Sequence, residues 1–199
     1  MPQANYHKLA FRRCLRESNF TTLGHAGRLG GVRVLIVAYG NPLRSDDGLA
    51  WHVANALEAK FSPPDVEILR LHQLAPELSE RVSRVGAVIF VDAASAEVGE
   101  RRPGEIRIEE IHAEEAGPSA ESRFSHHFTP SVLVALAAQL YGASARAFSA
   151  TLTGQDFGHG GSLSKAVQDV LPEFVTRIEG LVRELQSRCV SRPIDQAVE

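Results

Sequence analysis

The chain has 199 residues, of which 44% are hydrophobic and 23% charged, a composition that fits one globular domain with a self-sufficient core. The net charge of -3 and the scattered Lys and Arg argue against a nucleic-acid partner, which would need a continuous basic surface. The two cysteines lack a CxxC or Cys/His neighbour, and no apolar run approaches about 18 residues. We therefore expect a cytoplasmic protein without a membrane partner, acting as a monomer.

The chain opens with a segment of mixed pattern, residues 1–31, which contains arginines but no apolar core typical of a signal peptide. We assign it as an N-terminal extension, either packed loosely on the surface or disordered. A single α/β domain is predicted over residues 32–187, and residues 188–199 are predicted to be a tail.

The first predicted strand is the unbroken apolar run over 34–39, which is typical of a strand buried on both faces. A turn, Gly40-Asn41-Pro42, follows it, and then the adjacent acids Asp46 and Asp47. Ligands of open α/β sheets bind beyond the carboxyl ends of the strands, where these acids are expected. One of the two could instead cap the amphipathic helix predicted over 49–61.

The middle of the chain continues the alternation of strands and helices. Strands are predicted over 66–71 and 85–91, and a helix over 76–82 begins with a proline in its first turn. Asp92 follows the second of these strands directly, so a second strand delivers an acid to the same edge of the sheet. Residues 104–111 alternate isoleucine with charged side chains, a pattern typical of an edge strand.

Two histidines precede the next predicted helix. A surface loop is expected over 112–123, and His126 and His127 come shortly after it. Thr129 is predicted to cap the helix, with Pro130 at its first position.

The remaining elements complete the predicted fold. A strand over 145–153 leads into a glycine-rich turn over 154–161, and a final helix is expected over about 162–187, kinked or split at Pro172. The alternating order predicts an α/β fold with three layers, in which a mostly parallel twisted sheet of about five strands carries helices on both faces.

Asp47, Asp92 and one of His126 or His127 form a candidate metal-ligand set. Carboxylate oxygens together with a neutral imidazole suit a divalent transition ion such as nickel, copper or zinc. Spacing alone does not favour such a site over three unrelated surface groups, because the residues come from distant segments.

Several motifs, taken together and in order, resemble the hydrogenase maturation endopeptidases. The resemblance spans Val32 to about Leu185 and rests on five segments: Gly40–Gly48, His72–Leu78, Phe90–Ala93, Ser125–Pro130 and Gly154–Gly160.

This resemblance implies an endopeptidase that removes a C-terminal extension from the large-subunit precursor of a nickel-iron hydrogenase after nickel insertion. It also implies one α/β domain with a metal site of two acids and a histidine. By motif these are Asp47, where the family often has Glu, Asp92, and His126 with His127 as the alternative. The implied cofactor is nickel, expected to be the ion that the precursor carries.

The mechanism suggested by the resemblance is that of a nickel-dependent or aspartic-type hydrolase. The sequence contains no HExxH zinc motif and no Ser or Cys paired with a recognisable base. Nickel held by Asp47, Asp92 and His126 would position the scissile bond and polarise its carbonyl or activate water. The competing assignment is an aspartate as general base, with Asp46 as a helper.

Two other interpretations stay open from the sequence. One is a nucleotide- or phosphate-binding module, although the GxGxxG spacing is missing and acids near a helix start would repel phosphate. The other is a non-catalytic, nickel-binding or assembly protein that uses the same fold, because fold does not fix function.

Overall fold

A computed structural model describes residues 33–96, 101–112, 128–143 and 145–187. The strands are β1 (Val34–Tyr39), β2 (Val66–Leu71), β3 (Ala87–Ser95), β4 (Ile106–Ile111) and β5 (Arg146–Gly154). The helices are α1 (Leu49–Glu58), α2 (Leu78–Val82), α3 (Pro130–Tyr141) and α4 (Lys165–Ser187), and a short 3-10 helix, Ser45–Gly48, precedes α1. The predicted extension over 1–31 and the tail over 188–199 lie outside the described residues, as does most of the predicted loop over 112–123.

The strands form one sheet in the order β2-β1-β3-β5-β4. β1 pairs in parallel with β2 and β3, β3 pairs in parallel with β5, and β4 runs antiparallel at the edge beside β5. The predicted mostly parallel sheet and the edge position of β4 are both confirmed. The chain moves from β1 to β2 on one side and then to β3 on the other, so a topological switch point lies between β1 and β3.

Helices cover both faces of the sheet, and each pair of helices encloses its own apolar cluster. α1 and α4 pack on one face, and α2 and α3 on the other. The first cluster includes Leu49, Val53, Leu57, Phe174, Ile178 and Val182, and the second includes Leu35, Val37, Phe90, Leu78, Val82 and Leu133. Because β1 and β3 contribute to both clusters, their apolar runs lack the polar alternation of half-exposed strands. The predicted three-layer arrangement is confirmed.

Strand β3 is longer than predicted. Its apolar run ends at Val91, but the strand continues to Ser95 because β5 keeps pairing with it, from Asp92 opposite Thr151 to Ser95 opposite Gly154. β1 stops earlier, and its last paired residue on β3 is Val91. The prediction that Asp92 follows the strand is therefore wrong. Asp92 lies inside β3, at the level where the neighbouring β1 ends.

Helix boundaries also differ from the predictions. α2 begins at Leu78, so Pro76 lies before the helix and not in its first turn, and α4 begins at Lys165 instead of about residue 162. α1 ends at Glu58, three residues before the predicted end, and the amides of Lys60 and Phe61 both donate to the carbonyl of Leu57. α4 is continuous through Pro172, an exposed residue, so the helix is not split there. In the described part of the chain, no helix combines the length and the apolar character needed to cross a membrane.

Candidate functional site

Asp47 lies in the 3-10 helix that follows β1. The turn that leads from β1 to this helix begins at Gly40, a position that only glycine can occupy. Gly40 has a φ of 136°, and a Cβ built there would lie 2.1 Å from the carbonyl oxygen of Asp47. The backbone of Asp47 thus packs directly against the end of β1. The predicted turn after the apolar run of β1 is therefore confirmed, and its signal in the sequence is the glycine that ends the run.

The Asp47 side chain is oriented by the same loop. The amide of Asn41 donates to Oδ2 of Asp47 at 3.0 Å, and the amide of Leu43 donates to Oδ1 of Asn41 at 2.9 Å. The two bonds fold residues 41–47 into a compact turn. One carboxylate oxygen of Asp47 is therefore fixed relative to the carboxyl end of β1.

The second predicted acid, Asp92, lies on β3 beside this loop. Oδ1 of Asp92 accepts a hydrogen bond from the amide of Ala93 at 2.8 Å, and the hydroxyl of Tyr39 also donates to its carboxylate. Burial raises the pKa of Asp92 to about 7; the two donors oppose this rise, and the negative charge of Asp47 adds to it. The two acids, distant in the sequence, are thus close enough in the fold to interact.

Tyr39 is a member of this site that the sequence did not reveal. Burial raises the pKa of its phenol above the ordinary value, and the adjacent charge of Asp92, to which the hydroxyl donates, raises it further. The hydroxyl therefore stays protonated and serves as a donor. The contact depends on β1 and β3 being neighbours, which local sequence patterns do not specify.

The side chain of Asp46 makes different contacts from that of Asp47. Its side chain is fully buried, and Oδ2 accepts hydrogen bonds from the amides of Gln155 at 2.7 Å and Asp156 at 2.9 Å. Oδ1 accepts from the amide of Ser164 at 2.6 Å. Burial by itself would raise the pKa of Asp46, but the three amides outweigh that effect and hold the pKa below its usual range. Asp46 fastens the glycine-rich turn and the start of α4 to the 3-10 helix.

The prediction that one of the two acids caps the first helix is wrong. Among the described residues, α1 begins after Gly48 without a side-chain cap. The carboxylate of Asp46 faces the glycine-rich turn, and that of Asp47 faces Asn41. The helix instead continues directly from the preceding 3-10 helix, which already orders its first turn.

The glycine-rich turn is also joined to the loop through backbone bonds. The amide of Ser45 donates to the carbonyl of Gly160 at 2.7 Å, and the amide of Gly160 donates to the carbonyl of Leu43 at 3.0 Å. Ser45 has a φ of 45°, in the left-handed region that side chains other than glycine rarely adopt. The guanidinium of Arg44 donates to the carbonyl of Phe157. These contacts hold the strained backbone of Ser45 in place directly before Asp46 and Asp47.

Trp51 and His72 form an aromatic pair next to the turn that begins at Gly40. Nε1 of Trp51 donates to the carbonyl of Gly40 at 3.1 Å, and its ring centroid is 5.6 Å from that of His72. Trp51 thus braces the backbone that positions Asp47. His72 is exposed and belongs to the second motif of the resemblance, so this motif lies close to the first.

The two candidate histidines, His126 and His127, lie outside the described residues. The helix that follows them is as predicted, since the side chain of Thr129 accepts from the amide of Val132 at 3.4 Å and Pro130 is the first helical residue. α3 packs in the same cluster as Phe90, and side chains alternate along a strand, so Asp92 points to the face that α3 covers. In the described ranges, no group of three or more His, Cys, Asp or Glu side chains could hold a metal ion.

Solved structures place this architecture among known folds. The fold is that of the hydrogenase maturation proteases. The hydrogenase maturating endopeptidase HybD from E. coli is 20% identical, with a TM-score of 0.59, over 76% of this chain and 93% of that chain. HycI from Thermococcus kodakarensis KOD1 is 20% identical, with a TM-score of 0.60, over 77% and 94%.

A third structure gives the same result. HybD from Thermococcus kodakarensis is 21% identical, with a TM-score of 0.54, over 75% of this chain and 99% of that chain. No protein-family model matches the chain, and no curated protein matches it either. At this level of identity the similarity establishes a shared fold, and the fold implied by the motif resemblance is confirmed.

Proposed function

We propose that this chain is an endopeptidase that removes the C-terminal extension of a nickel-iron hydrogenase large-subunit precursor after nickel insertion. The observation that supports this most is that the charge of Asp47 reaches Asp92 and adds to its raised pKa, at the switch point between β1 and β3. The fold is shared with maturation endopeptidases. Both acids belong to the part of the sheet where α/β proteins bind ligands, which supports the proposal. The setting we propose is the cytoplasm, with the enzyme as a monomer.

The ligands we propose are Asp47, Asp92 and His126, with His127 as the alternative. Two carboxylates and an imidazole suit nickel. Burial raises the pKa of Asp92 to about 7, and the negative charge of Asp47 adds to this rise. When bound, nickel in the precursor would neutralise this charge and act as a Lewis acid towards the scissile carbonyl. The chain's own residues hold the precursor's metal centre against the carboxyl ends of β1 and β3.

A second mechanism fits the same geometry. A carboxylate with a pKa near 7 is well matched to a general base at physiological pH, so Asp92 is the aspartate that would deprotonate the attacking water. This is the aspartic-type alternative. It differs from the nickel-dependent mechanism because it predicts cleavage of a precursor without nickel.

The phosphate-binding alternative is not favoured by the arrangement of Asp46. A phosphate would be cradled by free backbone amides of the glycine-rich turn and of a helix start. The amides of Gln155, Asp156 and Ser164 already donate to Asp46. The carboxylate thus occupies the position that an anionic ligand would need.

The test is cleavage of a purified large-subunit precursor, with and without nickel, followed by intact-mass spectrometry. We expect wild type to release the C-terminal peptide from the nickel-loaded precursor only. Asp47→Asn and Asp92→Asn should each lower the rate by about 100-fold or more, because each removes charge at the reacting centre. Asp169→Asn, an exposed change on α4, is the matched control and should leave the rate unchanged.

Three outcomes would count against the proposal. Cleavage that persists in an Asn variant removes that residue from the site. Cleavage of the nickel-free precursor contradicts the nickel-dependent mechanism and favours Asp92 as a general base. Failure of wild type on precursors of every available nickel-iron hydrogenase contradicts the peptidase function itself.

A further inference from the structure

Tyr39 and Asp92 occupy matching positions on neighbouring parallel strands. The paired register of β1 and β3 ends with Ala38 opposite Val91, so the next residues along the two strands are Tyr39 and Asp92. Tyr39 packs against the same apolar cluster as Val37 and Phe90, each two residues away from one of the pair. Both side chains therefore leave the sheet on the same face.

The side chains of Tyr39 and Asp92 are joined by a hydrogen bond. The Tyr39 ring is held by the apolar cluster, and its hydroxyl donates to the carboxylate of Asp92, whose Oδ1 also accepts from the amide of Ala93. Two donors attached to rigid elements thus fix the carboxylate. Groups that hydrogen-bond to a metal-ligating side chain orient it and tune its strength as a ligand.

We propose that Tyr39 is a positioning residue that holds the Asp92 carboxylate in one orientation beside Asp47 for engagement of nickel. This inference rests on the proposed function, in which Asp92 is a nickel ligand. Tyr39 itself need not contact the ion or the precursor. Its hydroxyl acts through Asp92, and its ring supplies the packing that keeps the hydroxyl in place.

The first test uses nickel chloride alone, titrated into the full chain in competition with a chromogenic chelator. Tyr39→Phe keeps the ring and removes only the hydroxyl, so we expect a correctly folded variant whose Kd for Ni²⁺ is about 10-fold weaker than that of wild type. Tyr141→Phe makes the same chemical change on an exposed residue at the end of α3 and should leave Kd unchanged.

A double-mutant cycle separates positioning from general packing. If the hydroxyl acts through Asp92, Tyr39→Phe should have no further effect on Ni²⁺ affinity in the Asp92→Asn background. A structural effect would weaken binding equally in both backgrounds. An unchanged Kd in Tyr39→Phe overturns the inference, and so does wild type binding Ni²⁺ no more tightly than Asp92→Asn.

Precursor cleavage then distinguishes this inference from the proposed function. We expect Tyr39→Phe to lower kcat about 10-fold with KM unchanged, because the precursor is still bound but its metal centre is less well held. If wild type cleaves no precursor, the peptidase function fails while the Ni²⁺ titration still decides the role of Tyr39. If wild type and Tyr39→Phe cleave with the same kcat, the inference about Tyr39 fails alone.

Discussion

The Asp46→Asn substitution tests whether this acid is structural. The side chain keeps its size, but only one of its two terminal atoms can still accept a hydrogen bond. If the amide oxygen takes the place of Oδ2, the bonds from Gln155 and Asp156 survive, and the new NH₂ group faces the amide of Ser164. Two donors then point at each other in a site with no exposure to solvent.

The expected loss follows from these bonds. A hydrogen bond to a charged group contributes about 1.5–3 kcal/mol, and a buried donor left without a partner costs about 1–3 kcal/mol. Since the two terms overlap at Ser164, we expect the free energy of unfolding to fall by about 3 kcal/mol. For a domain of this size that lowers Tm by roughly 6–12 °C.

The assay is urea unfolding followed by far-UV circular dichroism, with Asp169→Asn as control. Asp169 is exposed and paired with Lys165 on the same helix, so its change should cost less than about 0.5 kcal/mol. The folded-state pKa of Asp46 lies below the ordinary 3.8, so its stabilisation is full well above pH 3.8 and is lost as pH falls through the folded-state pKa. A loss no larger than that of the control at pH 7 would refute the structural role.

Two further substitutions test the roles of Gly40 and Asp92. Gly40→Ala should destabilise the fold by more than about 2 kcal/mol, since the added Cβ would lie 2.1 Å from the Asp47 carbonyl oxygen at a φ of 136°. Urea unfolding followed by the fluorescence of Trp51, which is hydrogen-bonded to the carbonyl of Gly40, measures this loss. An unfolding midpoint equal to that of wild type would contradict the prediction. Asp92→Asn should raise stability more at pH 9 than at pH 5, because the stabilisation that Asp92 contributes below its ordinary pKa of 3.8 is lost as pH rises through its folded-state pKa of about 7. Thermal melts in metal-free buffer check the sign, and equal shifts at both pH values would contradict it.

Local patterns predicted the parts of the fold that local physics determines. The apolar run of β1 ends at Gly40 because no other residue fits there, and Thr129-Pro130 begins α3 as a cap and first residue usually do. β3 was predicted too short because residues 92–95 are ordered by pairing with β5, a partner that is distant in sequence. Strand length in such a case is a property of the sheet.

The sequence indicated some residues of the candidate site and not others. The rule for strand ends predicts Asp47 and Asp92 at the same edge of the sheet, and in the structure the charge of Asp47 adds to the raised pKa of Asp92. The role of Asp46 was missed because its partners are backbone amides, which leave no side-chain signature. Tyr39 was missed because its contact needs the order of the strands as well as their positions in the chain.

The central claim is that Asp47 and Asp92 together engage a transition ion. The most direct measurement is an anomalous difference map at the nickel absorption edge, from crystals of the full chain soaked in nickel chloride. We predict one strong peak within coordination distance, about 2.0–2.2 Å, of carboxylate oxygens from both residues. A map whose only peaks lie away from the two acids, or one with no peak, would contradict the account.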